Sequence, residues 1–452
     1  RSSSRPCVWR DKLDRDERAR GHAEAGARKS SRRRACARGS AEADESIEQS
    51  GDAASGLRRP PRLLGSPDIF FSLQTAVAPA CGAADTRHVL RLPIVATHER
   101  SLETCVYCPK LCRAACPVSN AEASETLTPW GKMSMTYFAG RGDVPVDVEH
   151  ASTAWACTGC YACREKCDHR NEPGNVLVDV RADFFGRGAA PPAAVASAAR
   201  ASTREAEAKR VYDELEAGMS HDKPVAGVLI GCGYARLEPK VAKDAFHVAT
   251  ELARGPVRAI RSCCGLSSLY AGDRDGFQAA AQRFAAEVAA YPRVIVVDPG
   301  CARAVIHEYP RLGITLPKAP ELLLDLAYEA RNRFASISEL AGKPVRWHPP
   351  CQLGRGLGRH DEPRILLEKI LGKSPAKFLR SGKDSECSGG GGLLPVTRPN
   401  ASAAIADERI AEHRARGGGL LVTACASSLH RFRTRGEAAE DLVSLLARAM
   451  SG

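Results

Sequence analysis

Short apolar runs alternate with helical periodicity from residue 223 to the end of the chain. The apolar runs predict buried strands at Val225–Ile230, Val257–Ile260, Val294–Val297 and Leu420–Thr423. Between them, apolar residues recur at the spacing of a helix face, as in Val241, Ala245, Val248 and Leu252 and again in Phe277, Phe284 and Val288. Alternating strands and helices imply mostly parallel sheets covered by helices. This part of the chain is therefore predicted to be α/β.

The same part is an internal repeat, and cysteines mark it. Cys232, the pair Cys263–Cys264 and Cys301 correspond to Cys351, Cys387 and Cys425 further along the chain. Cys263 and Cys301 are 38 residues apart, and so are Cys387 and Cys425. We therefore predict two α/β repeats, residues 223–335 (the first repeat) and 336–452 (the second repeat).

The N-terminal half has a different organisation. Residues 1–95 are rich in Arg, Ser, Ala and Gly without a sustained hydrophobic period, which predicts a disordered or non-native extension. Residues 96–190, here called the cysteine region, hold eight cysteines in two tight groups. The Ala-rich residues 191–222 are predicted to be a helical linker. Cys7, Cys36 and Cys81 lie in the extension, and no role is predicted for them.

Composition excludes several classes of protein. The chain has 452 residues, 44% of them hydrophobic, and it is neither collagen-like nor wholly disordered. No apolar run approaches the roughly 20 residues of a transmembrane helix. Eighteen clustered cysteines without an apolar export segment favour metal binding in a reducing, cytoplasmic setting. The net charge of +12 comes with no helix-turn-helix and no aromatic–basic pattern, so no nucleic-acid partner is expected.

The two cysteine groups carry the strongest chemical signal. They read Cys105-x2-Cys108-x3-Cys112-x3-Cys116-Pro117 and Cys157-x2-Cys160-x2-Cys163-x3-Cys167. Three closely spaced thiolates suit three corners of an iron–sulfur cubane, and the fourth crosses to the other cluster, whereas zinc usually takes two cysteines from each of two knuckles. The spacing predicts two [4Fe–4S] clusters. Set 1, which would hold one cluster, is Cys105, Cys108, Cys112 and Cys167, and set 2, for the other, is Cys157, Cys160, Cys163 and Cys116.

The cysteines of the repeats follow predicted strands. The carboxyl ends of strands in open α/β sheets are where ligand sites lie. Any one of these cysteines could be a buried structural residue, but four at one sheet edge favour a third metal centre, [4Fe–4S] or zinc. Its candidate ligands, set 3, are Cys232, Cys263, Cys264 and Cys301. The second repeat offers a degenerate candidate site of Cys351, Cys387 and Cys425.

Both parts resemble known families. The cysteine region resembles the two-cluster ferredoxin-type domain in the helical form found in iron–sulfur subunits of respiratory oxidoreductases, and Thr128-Pro129-Trp130-Gly131-Lys132 matches that family's Ser-Pro-Arg-Gly-Arg with Trp for the first Arg. The repeats resemble the cysteine-rich CCG domain of heterodisulfide reductase catalytic subunits and of glycolate oxidase iron–sulfur subunits. This second resemblance rests on Cys263-Cys264-Gly265, His348-Pro349-Pro350-Cys351-Gln352-Leu353-Gly354-Arg355 and Cys387-Ser388-Gly389-Gly390-Gly391-Gly392. The resemblance implies an α+β multidomain fold, with a helical ferredoxin-type domain followed by two α/β CCG domains.

The resemblance also implies a function. It implies an iron–sulfur electron-transfer subunit of a multi-subunit oxidoreductase. The chain is expected in the cytoplasm without a transmembrane segment, and peripheral association with the inner face of the membrane stays open. A separate FAD-linked dehydrogenase subunit would oxidise a 2-hydroxy acid, and electrons would leave to a quinone or another carrier. The chain has no Gly-rich dinucleotide motif, so no flavin or NAD site of its own is expected. Two alternatives stay open: a catalytic thiol–disulfide reductase of the heterodisulfide type, and a zinc-stabilised interaction scaffold.

The repeats depart from the family motif, which ends in Cys-x-x-Cys. The first repeat reads Cys301-Ala302-Arg303-Ala304 and the second Cys425-Ala426-Ser427-Ser428, and Ser388 stands for one of the paired cysteines. The first repeat thus keeps four thiols and the second keeps three. Too few thiols remain for the non-cubane clusters of true heterodisulfide reductases, which argues against that activity.

Other polar residues near the cysteines are expected to have ordinary roles. His348, His360 and Glu386 are candidate proton carriers or ligands, but solvated residues near turns are the simpler interpretation. Packing is expected for Trp130, and solvation for Lys132. The run Gly389–Gly392 lacks the Lys-Ser/Thr of a phosphate-binding loop, and it more simply lets backbone approach a cluster.

Overall fold

The computed structural model describes residues 92–219 and 223–450. Cys7, Cys36 and Cys81, and the predicted extension up to residue 91, lie outside the described residues. Within the described ranges, no helix has both the length and the apolar composition needed to cross a membrane.

The cysteine region is helical, as predicted. Its helices and those that follow are α1 (Pro93–Val106), α2 (Pro117–Ala121), α3 (Pro129–Arg141), α4 (Val148–Trp155), α5 (Pro173–Gly186), α6 (Pro192–Ala199) and α7 (Ala201–Leu215). Short 3-10 turns lie at Arg113–Ala115, Glu125–Leu127 and Arg164–Lys166. The start of α3 follows from local sequence, because Thr128 caps the Gly131 N–H and Pro129 takes the first helical position.

The first repeat is a parallel α/β unit. Its elements are β1 (Ala226–Leu229), α8 (Cys232–Leu237), α9 (Pro239–Ala253), β2 (Val257–Ala259), α10 (Leu266–Ala271), α11 (Arg274–Val288), β3 (Val294–Val296), α12 (Pro299–Arg303), α13 (Tyr309–Arg311), β4 (Pro320–Leu322) and α14 (Leu323–Glu329), with a π-turn at Ala304–Glu308 and a 3-10 turn at Arg331–Arg333. The sheet order is β2-β1-β3-β4, and every neighbouring pair is parallel.

The second repeat is a smaller version of the same design. Its elements are β5 (Val345–Trp347), α15 (Glu362–Leu371), α16 (Leu394–Thr397), α17 (Pro399–Ala415), β6 (Leu420–Thr423), α18 (Ala426–Thr434), β7 (Ala439–Asp441) and α19 (Leu442–Met450), with a π-turn at Gln352–Gly356 and 3-10 turns at Ser338–Leu340 and Gly382–Asp384. The sheet order is β5-β6-β7, again parallel.

The predicted α/β architecture is confirmed. The helix faces predicted for α9 and α11 are buried, from Val241 to Leu252 and from Phe277 to Val288. The edge strands β4 and β7 were not predicted, because Pro320–Leu322 and Ala439–Asp441 include acidic residues and form no apolar run.

The two repeats share one hydrophobic core. Val228 of β1, Trp347 of β5 and Val422 of β6 belong to the same buried cluster. Polar contacts cross the same boundary: the Tyr234 hydroxyl donates to the Asp441 carboxylate at 2.7 Å, and the Ala426 N–H donates to Asp298 at 3.3 Å. The repeats therefore pack as one body rather than as separate modules.

One buried arginine joins the cysteine region to both repeats. Arg181 of α5 is 2% exposed. Its guanidinium donates to the Ala154 and Cys157 carbonyls of the cysteine region, at 3.1 and 2.6 Å. It also donates to the carbonyls of Tyr270 in the first repeat (3.1 Å) and Gly392 in the second (3.0 Å). A single side chain thus satisfies backbone acceptors from three parts of the chain.

We expect Arg181→Leu to loosen the contact between these parts. Removal of the guanidinium leaves four buried carbonyls without this donor, which should lower the free energy of unfolding by about 3 kcal/mol or more. Arg187→Leu is the matched control, because Arg187 follows the same helix but pairs with Asp183 at the surface, where a change below about 0.5 kcal/mol is expected. Urea unfolding of both variants measures the difference, and equal midpoints would contradict the role given to Arg181.

Candidate metal centres

The four thiols of set 1 lie together, although Cys167 belongs to the second cysteine group. Burial raises the pKa of the Cys105 thiol to about 12, and the charges of Cys112, Cys167 and Cys108 add to the effect. Asn171 holds two of these residues: its side-chain amide donates to Cys105 Sγ at 3.1 Å, and its backbone N–H donates to Cys167 Sγ at 3.3 Å. Cys108, Cys112 and Cys167 are partly exposed.

The thiols of set 2 are gathered in the same way. Burial raises the pKa of the Cys163 thiol, and the charges of Cys160, Cys157 and Cys116 add to the effect. Both sets thus bring together four thiols whose negative charges would repel one another in a buried place. A cationic iron–sulfur core with four thiolate positions fits this donor chemistry. In the part of the chain that the structure describes, no three His, Cys, Asp or Glu side chains are arranged to hold a single metal ion.

Lys132 is not solvated, which corrects the expectation from sequence. Its side chain is 1% exposed, and Nζ donates to Cys116 Sγ at 3.2 Å. Burial opposes its charge, but the thiolates of Cys116, Cys157 and Cys163 outweigh that effect and raise the pKa of the ammonium. Trp130 packs as expected, and its indole N–H donates to the Val106 carbonyl at 3.0 Å.

Set 3 forms at the carboxyl ends of three parallel strands. Cys232 begins α8 after β1, Cys263 and Cys264 follow β2, and Cys301 lies in α12 after β3. Cys263 Sγ is 3.9 Å from Cys232 Sγ, and Cys264 Sγ is 3.2 Å from Cys301 Sγ. The neighbouring thiols of Cys232 and Cys264 lower the pKa of Cys263.

Helix α7 closes this site, which was not foreseen for a linker. Arg204 faces Cys232 and Cys263, and its Nη2 is buried without a hydrogen-bond partner. Burial and then the charges of all four set 3 thiols raise the pKa of Tyr212. An orphaned guanidinium nitrogen beside thiols fits a missing anionic acceptor such as cluster sulfide. Because α7 reaches the site only through the fold, sequence spacing gave no signal for Arg204.

Two of the three thiols of the second repeat, Cys351 and Cys387, lie near set 2. Cys387 and Cys160 belong to one buried cluster, and the proximity of the two thiols lowers the pKa of Cys160 and raises that of Cys387. Burial and the charge of Cys160 raise the pKa of Cys351 to about 11. Cys425 instead lies near Asp298 of the first repeat; burial, with the charge of that carboxylate, raises its pKa.

Two serines replace the cysteines that this repeat lacks. Ser388 stands at the second position of the cysteine pair, and Ser428 at the end of the Cys-x-x-Cys frame. Their hydroxyl oxygens are 2.8 Å apart, and both residues are buried. Each hydroxyl satisfies the other, so the two substitutions compensate in space.

The His348–Arg355 motif clamps the loop that carries set 2. Gln352 Nε2 donates to the Gly159 carbonyl at 2.9 Å, and Arg355 Nε donates to the Cys160 carbonyl at 2.5 Å. Arg355 is 4% exposed, and its Nη2 is buried without a partner. As at Arg204, an orphaned donor lies beside thiols.

The glycine run packs on the same loop. A Cβ on Gly391 would lie 2.6 Å from the Thr158 carbonyl oxygen, and one on Gly392 would lie 2.2 Å from the Cys157 carbonyl oxygen. The run therefore lets backbone approach the loop of set 2.

A cavity of about 450 Å³ opens between the cysteine region and the second repeat. The loops of both cysteine groups contribute Leu111, Ala115 and Ala162, and the second repeat contributes Cys387 and Arg409. Leu111 and Leu379, which also lines the cavity, are exposed large apolar residues. The cavity gives a small molecule access to the neighbourhood of Cys387.

The remaining candidates differ in burial. His348 is buried between Phe378 and Phe432, and this corrects the expectation of a solvated residue. Burial holds the pKa of its imidazole well below the usual range. His360 is partly buried, and burial lowers its pKa. Glu386 is solvent-exposed as expected, and it pairs with Arg380 and Arg409.

We expect Gly392→Ala to disturb the packing of the second repeat on set 2. The added methyl group would collide with the Cys157 carbonyl, so the free energy of unfolding should fall by about 1–3 kcal/mol more than in the control. The control is Gly382→Ala, because Gly382 has nearly the same positive φ (60° against 61°) but open space around its Cβ position. Urea unfolding compares the two, and equal losses would show that φ strain alone is responsible.

Two known family models match separate parts of the chain. The family model of the 4Fe-4S dicluster domain matches residues 101–171, and that of the cysteine-rich domain matches residues 226–305 and again residues 345–432.

Relatives of this chain include, by name, subunits of two reductases and a lactate utilization protein. One subunit of the fumarate reductase (CoM/CoB) of Methanothermobacter marburgensis is 26% identical over 342 residues, 72% of this chain and 66% of the relative. One subunit of the dihydromethanophenazine:CoB–CoM heterodisulfide reductase of Methanosarcina barkeri is 27% identical over 169 residues, 35% of this chain and 41% of the relative. Lactate utilization protein A 2 of Bacillus cereus is 27% identical over 175 residues, 36% of this chain and 70% of the relative. The chain thus spans less than two thirds of the first two.

Proposed function

Because the chain belongs to the iron–sulfur proteins that join a 4Fe-4S dicluster domain to a repeated cysteine-rich domain, we propose that it is the electron-transfer subunit of an oxidoreductase complex. The observation that carries the proposal is that the thiols of set 1, set 2 and the second repeat lie next to one another in an unbroken series. Cys163 of set 2 lines one small cavity together with Cys105, Cys108, Cys112 and Cys167 of set 1. Cys160 of set 2 and Cys387 of the second repeat belong to one buried cluster.

The chain's own residues have distinct roles in this proposal. Set 1 and set 2 each supply the four thiolates of a [4Fe–4S] cluster, which when bound takes up and releases one electron at a time. Set 3 is the candidate for a third [4Fe–4S] cluster or a zinc ion. Asn171 and Lys132 donate hydrogen bonds to thiols of sets 1 and 2, and the glycine run with Gln352 and Arg355 fixes the loop of set 2 against the second repeat.

We propose a separate FAD-linked dehydrogenase subunit as the electron donor. The resemblance to glycolate oxidase subunits supports a 2-hydroxy acid as its substrate, and lactate, in the name of one relative, is such an acid. The electron acceptor would be a quinone or a carrier. A quinone would bring the chain to the inner surface of the membrane.

Iron and acid-labile sulfide in the full chain, purified without oxygen, test the cluster assignment. We expect about eight of each per chain if sets 1 and 2 are filled, and about twelve if set 3 holds a third cluster. Cys264→Ser would then remove about four of each, whereas Cys81→Ser, outside all three sets, should remove none. Zinc without sulfide would contradict the redox role and favour the interaction scaffold.

A thiol–disulfide reductase is the second candidate. The 3.2 Å contact between Cys264 Sγ and Cys301 Sγ favours it, since two adjacent thiols can exchange with a disulfide. A cavity of about 250 Å³ lined by Cys263, Arg204 and Glu205 lies beside these thiols. Reduction of one disulfide to two thiols takes two electrons and two protons, and the electrons would come one from each of two clusters.

Cys264→Ser separates the two candidate functions. If set 3 is catalytic, the variant should lose disulfide turnover at least tenfold while the iron bound by sets 1 and 2 stays in place. Turnover is measured with a soluble disulfide and dithionite-reduced protein, and Cys81→Ser serves as the control. Unchanged turnover in Cys264→Ser would exclude this candidate.

A further inference from the structure

Besides Arg181, which donates to the Cys157 carbonyl at 2.6 Å, two buried cations face set 2. Lys132 Nζ lies 3.2 Å from Cys116 Sγ and faces Cys157 and Cys163 as well. Arg355 approaches from the opposite part of the chain, where it holds the Cys160 carbonyl and leaves Nη2 without a partner. The two side chains are 1% and 4% exposed. Set 2 therefore has a positive charge on both its cysteine-region side and its second-repeat side.

The basic side chains near set 1 are in a different environment. Lys110 and His169 line the small cavity at these thiols. Lys110 is only partly buried, with its ammonium 3.9 Å from the centre of the Trp130 ring, and His169 is exposed. Water screens charges in such places, whereas charges in the interior interact strongly. The neutral amide of Asn171 is the buried donor to a set 1 thiol.

Reduction of a cluster adds one negative charge to its site. A buried cation stabilises that charge and so raises the reduction potential, and an exposed cation does so weakly. We propose that Lys132 and Arg355 make the cluster on set 2 the higher-potential member of the pair, so that electrons arriving at set 1 collect at set 2. This inference rests on the proposed function and adds the direction of electron flow to it.

The positions of the two sets agree with that direction. Set 1 lies near the protein surface, where Tyr107 is 77% exposed beside Cys108. Set 2 touches Cys387 and lies next to the 450 Å³ cavity. Electrons would therefore enter from a docked partner at set 1 and leave through the second repeat.

A redox titration of the iron-loaded full chain, followed by EPR of the reduced clusters, tests the order of potentials. For sets 1 and 2 we expect two waves whose midpoints differ by at least 59 mV, which corresponds to a tenfold ratio for one electron. Any wave from set 3 is identified by its loss in Cys264→Ser. A single wave for sets 1 and 2, or two closer than this, would overturn the inference without any variant.

Lys132→Met shows which wave the buried charge controls. The upper wave should move down by at least 59 mV, a tenfold change, while the lower wave stays in place. Lys132→Arg, which keeps the charge, should leave both waves near their wild-type positions. Lys110→Met is the matched control for a partly exposed cation at set 1, and it should move the lower wave by less than this amount and leave the upper wave unchanged.

Other results for Lys132→Met would contradict the inference. If Lys132→Met binds full iron and moves the lower wave, or moves neither, Lys132 does not set the order and the inference fails. If Lys132→Met loses iron, Arg355→Met replaces it as the test variant. Arg355→Met is then expected to lower the midpoint of the upper wave, and an unchanged upper wave would contradict the inference. A wild-type chain without iron and sulfide would instead contradict the proposed function itself, so the two failures are distinguishable.

Discussion

The buried guanidinium of Arg181 is the contact on which the arrangement of the three parts depends. A charged group with its side chain 2% exposed is tolerated only when its donors are satisfied, and here they are satisfied by carbonyls from the cysteine region and both repeats. The loop at Cys157 and the end of the glycine run at Gly392 therefore have to meet at one point. That meeting places set 2 against the second repeat.

This placement gives the second repeat a structural role that does not depend on its own three thiols. Ser388 and Ser428 satisfy each other where cysteines are missing, while Gln352 and Arg355 hold the loop of set 2. The second repeat, which has fewer thiols than the first, thus supports the neighbouring set 2. It also places the buried cation Arg355 and the Cys387 thiol close to set 2. The first repeat keeps its four thiols, and α7 supplies it with Arg204 and Tyr212.

Prediction from the sequence was most successful for features that depend on residues close together along the chain. The parallel α/β repeats, the buried faces of α9 and α11, and the strand Leu420–Thr423 follow from local periodicity. The close spacing of the thiols within each loop predicts most members of sets 1 and 2. The assignment of Cys116 and Cys167 to opposite sets comes from the specific two-cluster pattern, and the binding of clusters by these sets stays a prediction.

The sequence by itself determined which thiols are available, how they are grouped, and that two α/β repeats follow them. Only the tertiary structure decided which charges surround them: Lys132 was expected in solvent and lies against Cys116, and His348 was expected at a turn and lies between two phenylalanines. Arg204 and Arg355 reach their thiols from elements distant in the chain. The physical reason is that cysteine spacing is a property of one loop, whereas burial and local dielectric arise when separate elements exclude water together.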